Sequence, residues 1–141
     1  MKEYVSTVVI SAPQAHVWSI LADAAAYEDW NPEIVSIDGA IAAGARITAR
    51  VTLADGAIRS VPQTVTSLEP PARMEWVGGL PLGLFVGRRI YTLTPRPGGV
   101  EFRLHVQMSG LLAPLILKSV GDRQPMLDSF SAALKKRAES A

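Results

Sequence analysis

The chain has 141 residues, 48% hydrophobic and 19% charged, with no cysteine and a formal net charge of +1. That length suits one domain, residues 1–141, burying about two-thirds of its unfolded surface, and the composition excludes a disordered chain. It also excludes disulfides, thiolate nucleophiles and cysteine-bound metals, and the scattered lysines and arginines leave no electrostatic footprint for nucleic acid.

Tyr4 to Ile10 are rich in β-branched side chains and predict a strand, which Ser11-Ala12-Pro13 ends. Pro13 suits the first position of a helix, where its missing N–H has no partner to lose. The segment ahead of it holds Glu3 and lacks the apolar block and cleavage site of a signal peptide. No stretch approaches the roughly 18 apolar residues of a membrane span, so a cytoplasmic location without stable membrane insertion is expected. Val17, Ile20 and Leu21 recur at helical spacing. Asp23 to Asp29 predict a second short helix, ended by Trp30-Asn31-Pro32 because the residue before proline is pushed out of the helical region.

From there the period changes to two. Strands are predicted at Ile34–Ile37, Ala45–Leu53, Ile58–Leu68, Arg73–Val77, Arg88–Leu93 and Val100–Ser109, with a hairpin turn at Asp55-Gly56. In the last of them Val100, Phe102, Leu104, Val106 and Met108 alternate with Glu101, Arg103, His105 and Gln107. Leu112 to Ala138 predict a helix with a break or kink near Gly121 and Pro125. Beyond the break, Leu127, Phe130 and Leu134 form an apolar stripe, and Lys135, Lys136 and Arg137 suit the negative end of the helix dipole. A bent sheet wrapped around one helix leaves a cavity, which makes ligand binding the first functional expectation.

Several short signals fall in a fixed order: Ile10-Ser11-Ala12-Pro13 with Val17-Trp18, Trp30-Asn31-Pro32, Val65 with Glu69-Pro70-Pro71, and Met74-Glu75-Trp76. They continue with Tyr91-Thr92-Leu93-Thr94-Pro95, Gly98-Gly99 and Ser109-Gly110-Leu111-Leu112. With these, nearly the full chain resembles the START-like, or SRPBCC, superfamily, whose members include polyketide cyclase/dehydrase proteins and the birch-pollen-allergen fold. The resemblance implies an α+β helix-grip fold. Six to seven antiparallel strands would bend strongly around a long C-terminal α-helix, with two short helices after the first strand and a pocket between sheet and helix. Relatives bind lipids, sterols, quinones, polyketides and plant hormones; some are cyclases or dehydratases. Fold alone does not choose among these.

Strand parity places Arg89 with Tyr91 and Leu93, and Gln63 with Val61 and Val65. An inward Arg89 would need an anion or a ligand, because a buried guanidinium is costly without a partner. The other placement is a one-residue bulge or a rim position that turns Arg89 outward. For a hydrophobic ligand, Val51, Val65, Trp76, Tyr91, Phe102, Leu104, Leu127 and Phe130 are the expected walls, Trp30 a further lining aromatic, and Arg89 and Gln63 the orienting polar groups. Plain core packing is the alternative for Trp30 and Trp76, and a turn role the alternative for Asn31.

No catalytic residue emerges. His16 and His105 fall on exposed faces, no set of ligands converges as a metal needs, and no cofactor is expected. Relatives often place an acid in the last strand, where this chain has Val106. A cyclase or dehydratase on a polyketide-like substrate stays open, and would gain from Asp23, Asp29 or Glu33 turning inward beside Tyr91. The stretch Gly78 to Gly87 holds Leu80, Leu82, Leu84 and Phe85 between hinge-like glycines. Exposed leucines there would serve as a gate, a membrane-touching tip, a homodimer contact or a protein-interaction surface, and the plainer alternative is a plug for the core. Leu111, Leu112, Leu115 and Ile116 would face it.

Overall fold

The alternating segments become seven strands in the computed structural model, which describes residues 1–140. They are β1 (Lys2–Ile10), β2 (Ile34–Asp38), β3 (Arg46–Thr52), β4 (Ile58–Glu69), β5 (Arg73–Leu80), β6 (Phe85–Arg96) and β7 (Gly99–Ser109). All join one antiparallel sheet in the order β1-β7-β6-β5-β4-β3-β2, so every neighbour pair is sequential except β1 with β7. The sheet curls into a half-barrel. Helix α1 (Gln14–Ala22) and a 3-10 turn (Ala24–Asp29) connect β1 to β2, the opposite edge. This is the α+β helix-grip architecture.

The inward face follows the predicted parity. On β7, Val100, Phe102 and Leu104 are fully buried and Val106 nearly so, while the intervening polar side chains face outward. The C-terminal helical region splits as Gly121 and Pro125 foretell: α2 (Ala113–Val120) ends at Gly121, and α3 (Gln124–Glu139) carries Pro125 in its first turn. Leu127, Phe130 and Leu134 on α3 are fully buried against the sheet. Each such side chain contributes about 1.5–3 kcal/mol relative to exposure. Polar ties fix the helix position: the hydroxyls of Ser131 and Ser6 meet at 2.7 Å in the interior, and Lys135 Nζ donates to the Val9 carbonyl at 2.8 Å.

One segment differs from its expectation. Gly78 to Gly87 is not an open loop; β5 and β6 continue through it, pairing Gly78 with Gly87, Gly79 with Val86 and Leu80 with Phe85. Only residues 81–84 lie between the last paired residues, with a 3-10 turn over Pro81–Gly83. The glycines serve close strand approach rather than hinging. A Cβ on Gly78 would come 2.5 Å from the Pro62 carbonyl oxygen, and one on Gly79 would come 2.1 Å from that of Phe85.

Candidate ligand cavity

A cavity of about 250 Å³ opens between the curled sheet and the helices. Val51 and Leu53 reach it from β3 and its end, Val61 and Gln63 from β4, Val106 and Met108 from β7, Ile116 and Val120 from α2, and Leu127 from α3. Gly78, Gly79 and Gly87 supply wall without side chain, which helps keep the space open. Its exposed margin includes Arg59, Ser60, Pro62, Gly79 and Leu80.

The buried end is charged. Glu33, with no exposed surface, accepts two hydrogen bonds from Arg89, Nη1 to Oε2 at 2.9 Å and Nη2 to Oε1 at 2.8 Å. Arg123 Nη2 donates to the same Oε2 at 2.8 Å, and its Nη1 to the Thr52 carbonyl at 2.8 Å. Arg89 Nε donates to the Tyr91 hydroxyl at 2.9 Å. Two guanidinium groups therefore share one carboxylate. Burial opposes the charge on Arg89, but Glu33 and Tyr91 beside it outweigh that and push its pKa up. Burial likewise raises the Tyr91 phenol, with Arg89 only partly offsetting it, so the hydroxyl keeps its proton at neutral pH.

Local sequence explains how Glu33 gets there. Asn31 Oδ1 accepts from the backbone N–H of both Glu33 and Ile34, at 3.0 and 2.7 Å, an Asx turn that aims the chain into β2. The Thr52 N–H then donates to the Glu33 carbonyl at 2.8 Å, pinning the residue to the end of β3. Arg123 stands in the break between α2 and α3, whose irregular backbone faces the same end of the cavity.

Of the residues expected at a ligand site, Val51, Gln63, Arg89 and Leu127 line the cavity. The other seven lie in the core outside the lining: Val65, Trp76, Tyr91, Phe102, Leu104 and Phe130 are fully buried, and Trp30 packs against them from a partly exposed position. The aromatic rings fill that end by packing on one another. Phe130 contacts Trp30, Tyr91 and Phe102 at centroid distances of 5.7, 5.7 and 5.9 Å, and Trp76 contacts Tyr91 at 4.9 Å. Tyr91 still touches the site through Arg89. Among the four gate residues, Leu80 and Phe85 line the cavity, whereas Leu82 is 97% exposed and Leu84 also faces solvent at the hairpin tip. Asn31 takes its turn role. The inward placement of Arg89 stands, with Arg88 instead turned to Glu75 at 2.9 Å.

Parity found Arg89 and Gln63 but gave no reason to select Arg123, and named Glu33 only as a condition. Glu33 and Ile34 are adjacent yet both fully buried; Glu33 precedes β2, where the Asx turn at Asn31 rather than strand alternation sets its direction. Arg123 sits between Gly121 and Pro125, but its partners, the Thr52 carbonyl and the Glu33 carboxylate, are distant in the chain, and no local signal marks it.

Among the described residues no cluster of histidine and carboxylate groups could hold a metal ion, and no helix is long and apolar enough to cross a membrane. A family model described as polyketide cyclase / dehydrase and lipid transport matches residues 1–139. Protein MLL2253 from Mesorhizobium loti has a similar structure, with TM-score 0.72 and 22% identity, covering 96% of this chain and 95% of its own. A START superfamily protein from Mycobacterium smegmatis gives TM-score 0.72 at 18% identity over 97% of each chain. The di-domain ARO/CYC protein BexL of the BE-7585A biosynthetic pathway gives 0.67 at 16% identity, over 99% of this chain and 50% of its own. No curated protein matches in sequence. At these identities the structural likeness establishes the fold alone.

Proposed function

The chain belongs to the polyketide cyclase / dehydrase and lipid transport family, and from that premise we propose that it binds a small hydrophobic molecule between the sheet and the C-terminal helices. The observation that carries this reading is the cavity itself: mostly apolar walls with polar groups gathered at a buried end, the usual build of a small-molecule site. A volume of about 250 Å³ lies just below the roughly 300–1,000 Å³ of drug-sized pockets, which favours a compact or single-chain ligand over a bulky one. Val51, Val106 and Leu127 bury its apolar body, at about 25 cal/mol per Å² before the costs of association. Gln63, buried and without a side-chain hydrogen bond among the described residues, orients a polar group. Of the β5–β6 tip, Leu80 and Phe85 border the cavity and form its entrance, while Leu82 and Leu84 stay on the solvent side.

A second reading, a cyclase or dehydratase, is favoured by the inward Glu33. In it the cavity folds the substrate and Arg89 polarises a carbonyl. Both Glu33 oxygens already accept from guanidinium groups, so the carboxylate serves the arginines before it can take a proton from a substrate. Binding is therefore the primary reading.

Native mass spectrometry of freshly purified protein, with extraction of anything bound, tests it. A discrete co-purifying apolar molecule supports binding. Protein that is empty, and stays empty when exposed to octanol and octanoate, contradicts it.

A further inference from the structure

The cavity is lopsided in charge although the whole chain is nearly neutral. Four arginines border it, Arg59, Arg88, Arg89 and Arg123, against one carboxylate, Glu33. Arg88 is turned away to Glu75. Arg59 stands at the exposed margin on the inward side of β4, sharing parity with Val61 and Gln63. At the buried end, Arg89 and Arg123 keep only 9% and 5% of their side-chain surface and divide a single Glu33 between them.

Donor accounting agrees with the charge. A guanidinium offers five N–H donors. Arg89 commits three to Tyr91 and Glu33, and Arg123 commits two to Thr52 and Glu33. Donors remain on both, beside a cavity whose other walls are chiefly apolar. An excess positive charge held out of water is unfavourable unless an anion meets it. A planar guanidinium fork suits a carboxylate well, as the two-pronged grip of Arg89 on Glu33 shows.

Resting on the binding function proposed above, we infer that the natural ligand is a monoanionic amphiphile, an apolar body ending in one carboxylate, whose head lies against Arg89 and Arg123 and completes the charge balance begun by Glu33. One negative charge matches the one unbalanced guanidinium. Arg59 at the margin attracts the same head on entry. Glu33 sets the charge preference by neutralising one arginine, so it discriminates without touching the apolar body.

The test is calorimetric titration of the full-length protein with octanoate and with octanol, which share one chain and differ in the head. Wild type should bind octanoate at least about tenfold more tightly than octanol. Arg123→Gln, which leaves Arg89 and Glu33 as a neutral pair, should reduce that ratio at least about fivefold. Glu33→Gln, which adds a net positive charge while keeping a hydrogen-bonding side chain, should raise it. Opposite shifts from two residues of one cluster separate charge matching from loss of structure, and thermal melts check that each variant is folded. The wild-type comparison stands even where a variant fails to fold. Equal binding of both ligands overturns the anionic ligand and leaves the hydrophobic cavity intact. Binding of neither overturns both.

Discussion

Arg89 and Glu33, 56 positions apart, close a two-pronged ion pair inside the fold, with nitrogen-to-oxygen distances of 2.9 and 2.8 Å. The pair joins β6 in the middle of the sheet to the entry of β2 at its edge. Arg123 adds the C-terminal helices to the same carboxylate. The cavity's buried end is thus held by three separate parts of the chain that meet at one side chain.

Glu33→Ala should therefore destabilise the protein strongly. It leaves two buried guanidinium groups without their anion, and breaking such a cluster costs about 3–5 kcal/mol. Urea unfolding would register a lower midpoint with little change in slope. A loss under 1 kcal/mol would mean that water reaches the arginines and replaces the carboxylate.

Phe130→Ala should cost about 3–5 kcal/mol as well, but through packing. Phe130 is fully buried and touches rings from β6, β7 and the turn ahead of β2. Because it lies outside the cavity lining, ligand affinity measured well below the melting temperature should change much less than stability. An equal fall in both would place the ligand against this ring.

Gly87→Leu offers the reverse combination. Gly87 lines the cavity, and a Cβ built there meets its nearest side-chain atom at an ordinary 3.5 Å, so the backbone tolerates the change. The added side chain shares the inward parity of Arg89 and Tyr91. Octanol and octanoate binding should fall at least about tenfold while the melting temperature moves by only a few degrees. Undiminished binding of both ligands would move the site away from this wall.

Acid should weaken the outer face of the sheet. Glu75 loses solvation by partial burial, but the Thr66 hydroxyl and the Arg88 and Arg73 guanidinium groups outweigh this and hold its carboxyl below the usual range. A folded-state pKa below the unfolded one stabilises above the unfolded value and is lost as pH falls through the folded value. Stability should thus drop below roughly pH 4, and Glu75→Gln should flatten that limb of the profile. An identical acid limb in the variant would assign it to other carboxylates.

Much of the architecture could be read from residue order because it depends on local signals. Alternation along β7 and β6 fixes an inward face that burial alone enforces, and Gly121 with Pro125 breaks the last helix wherever it packs. The site was less legible because its decisive contacts are non-local. Nothing near Arg89 in the chain reveals that Glu33 lies opposite, and an Asx turn at Asn31 overrides the alternation that would have sent one of Glu33 and Ile34 outward. The aromatic residues expected around a ligand turn instead to each other. Parity tells which rings face inward, but only their mutual distances tell whether space is left between them.

The most direct test of ligand binding in this cavity is an NMR titration of the isotope-labelled protein with octanoate, following backbone amide and methyl signals. Saturable, one-to-one changes should concentrate at Val51, Gln63, Gly78, Gly87, Val106, Leu127 and Arg123, with the outward face of β7 unaffected. Changes scattered over the surface without saturation, or none at all, would contradict it.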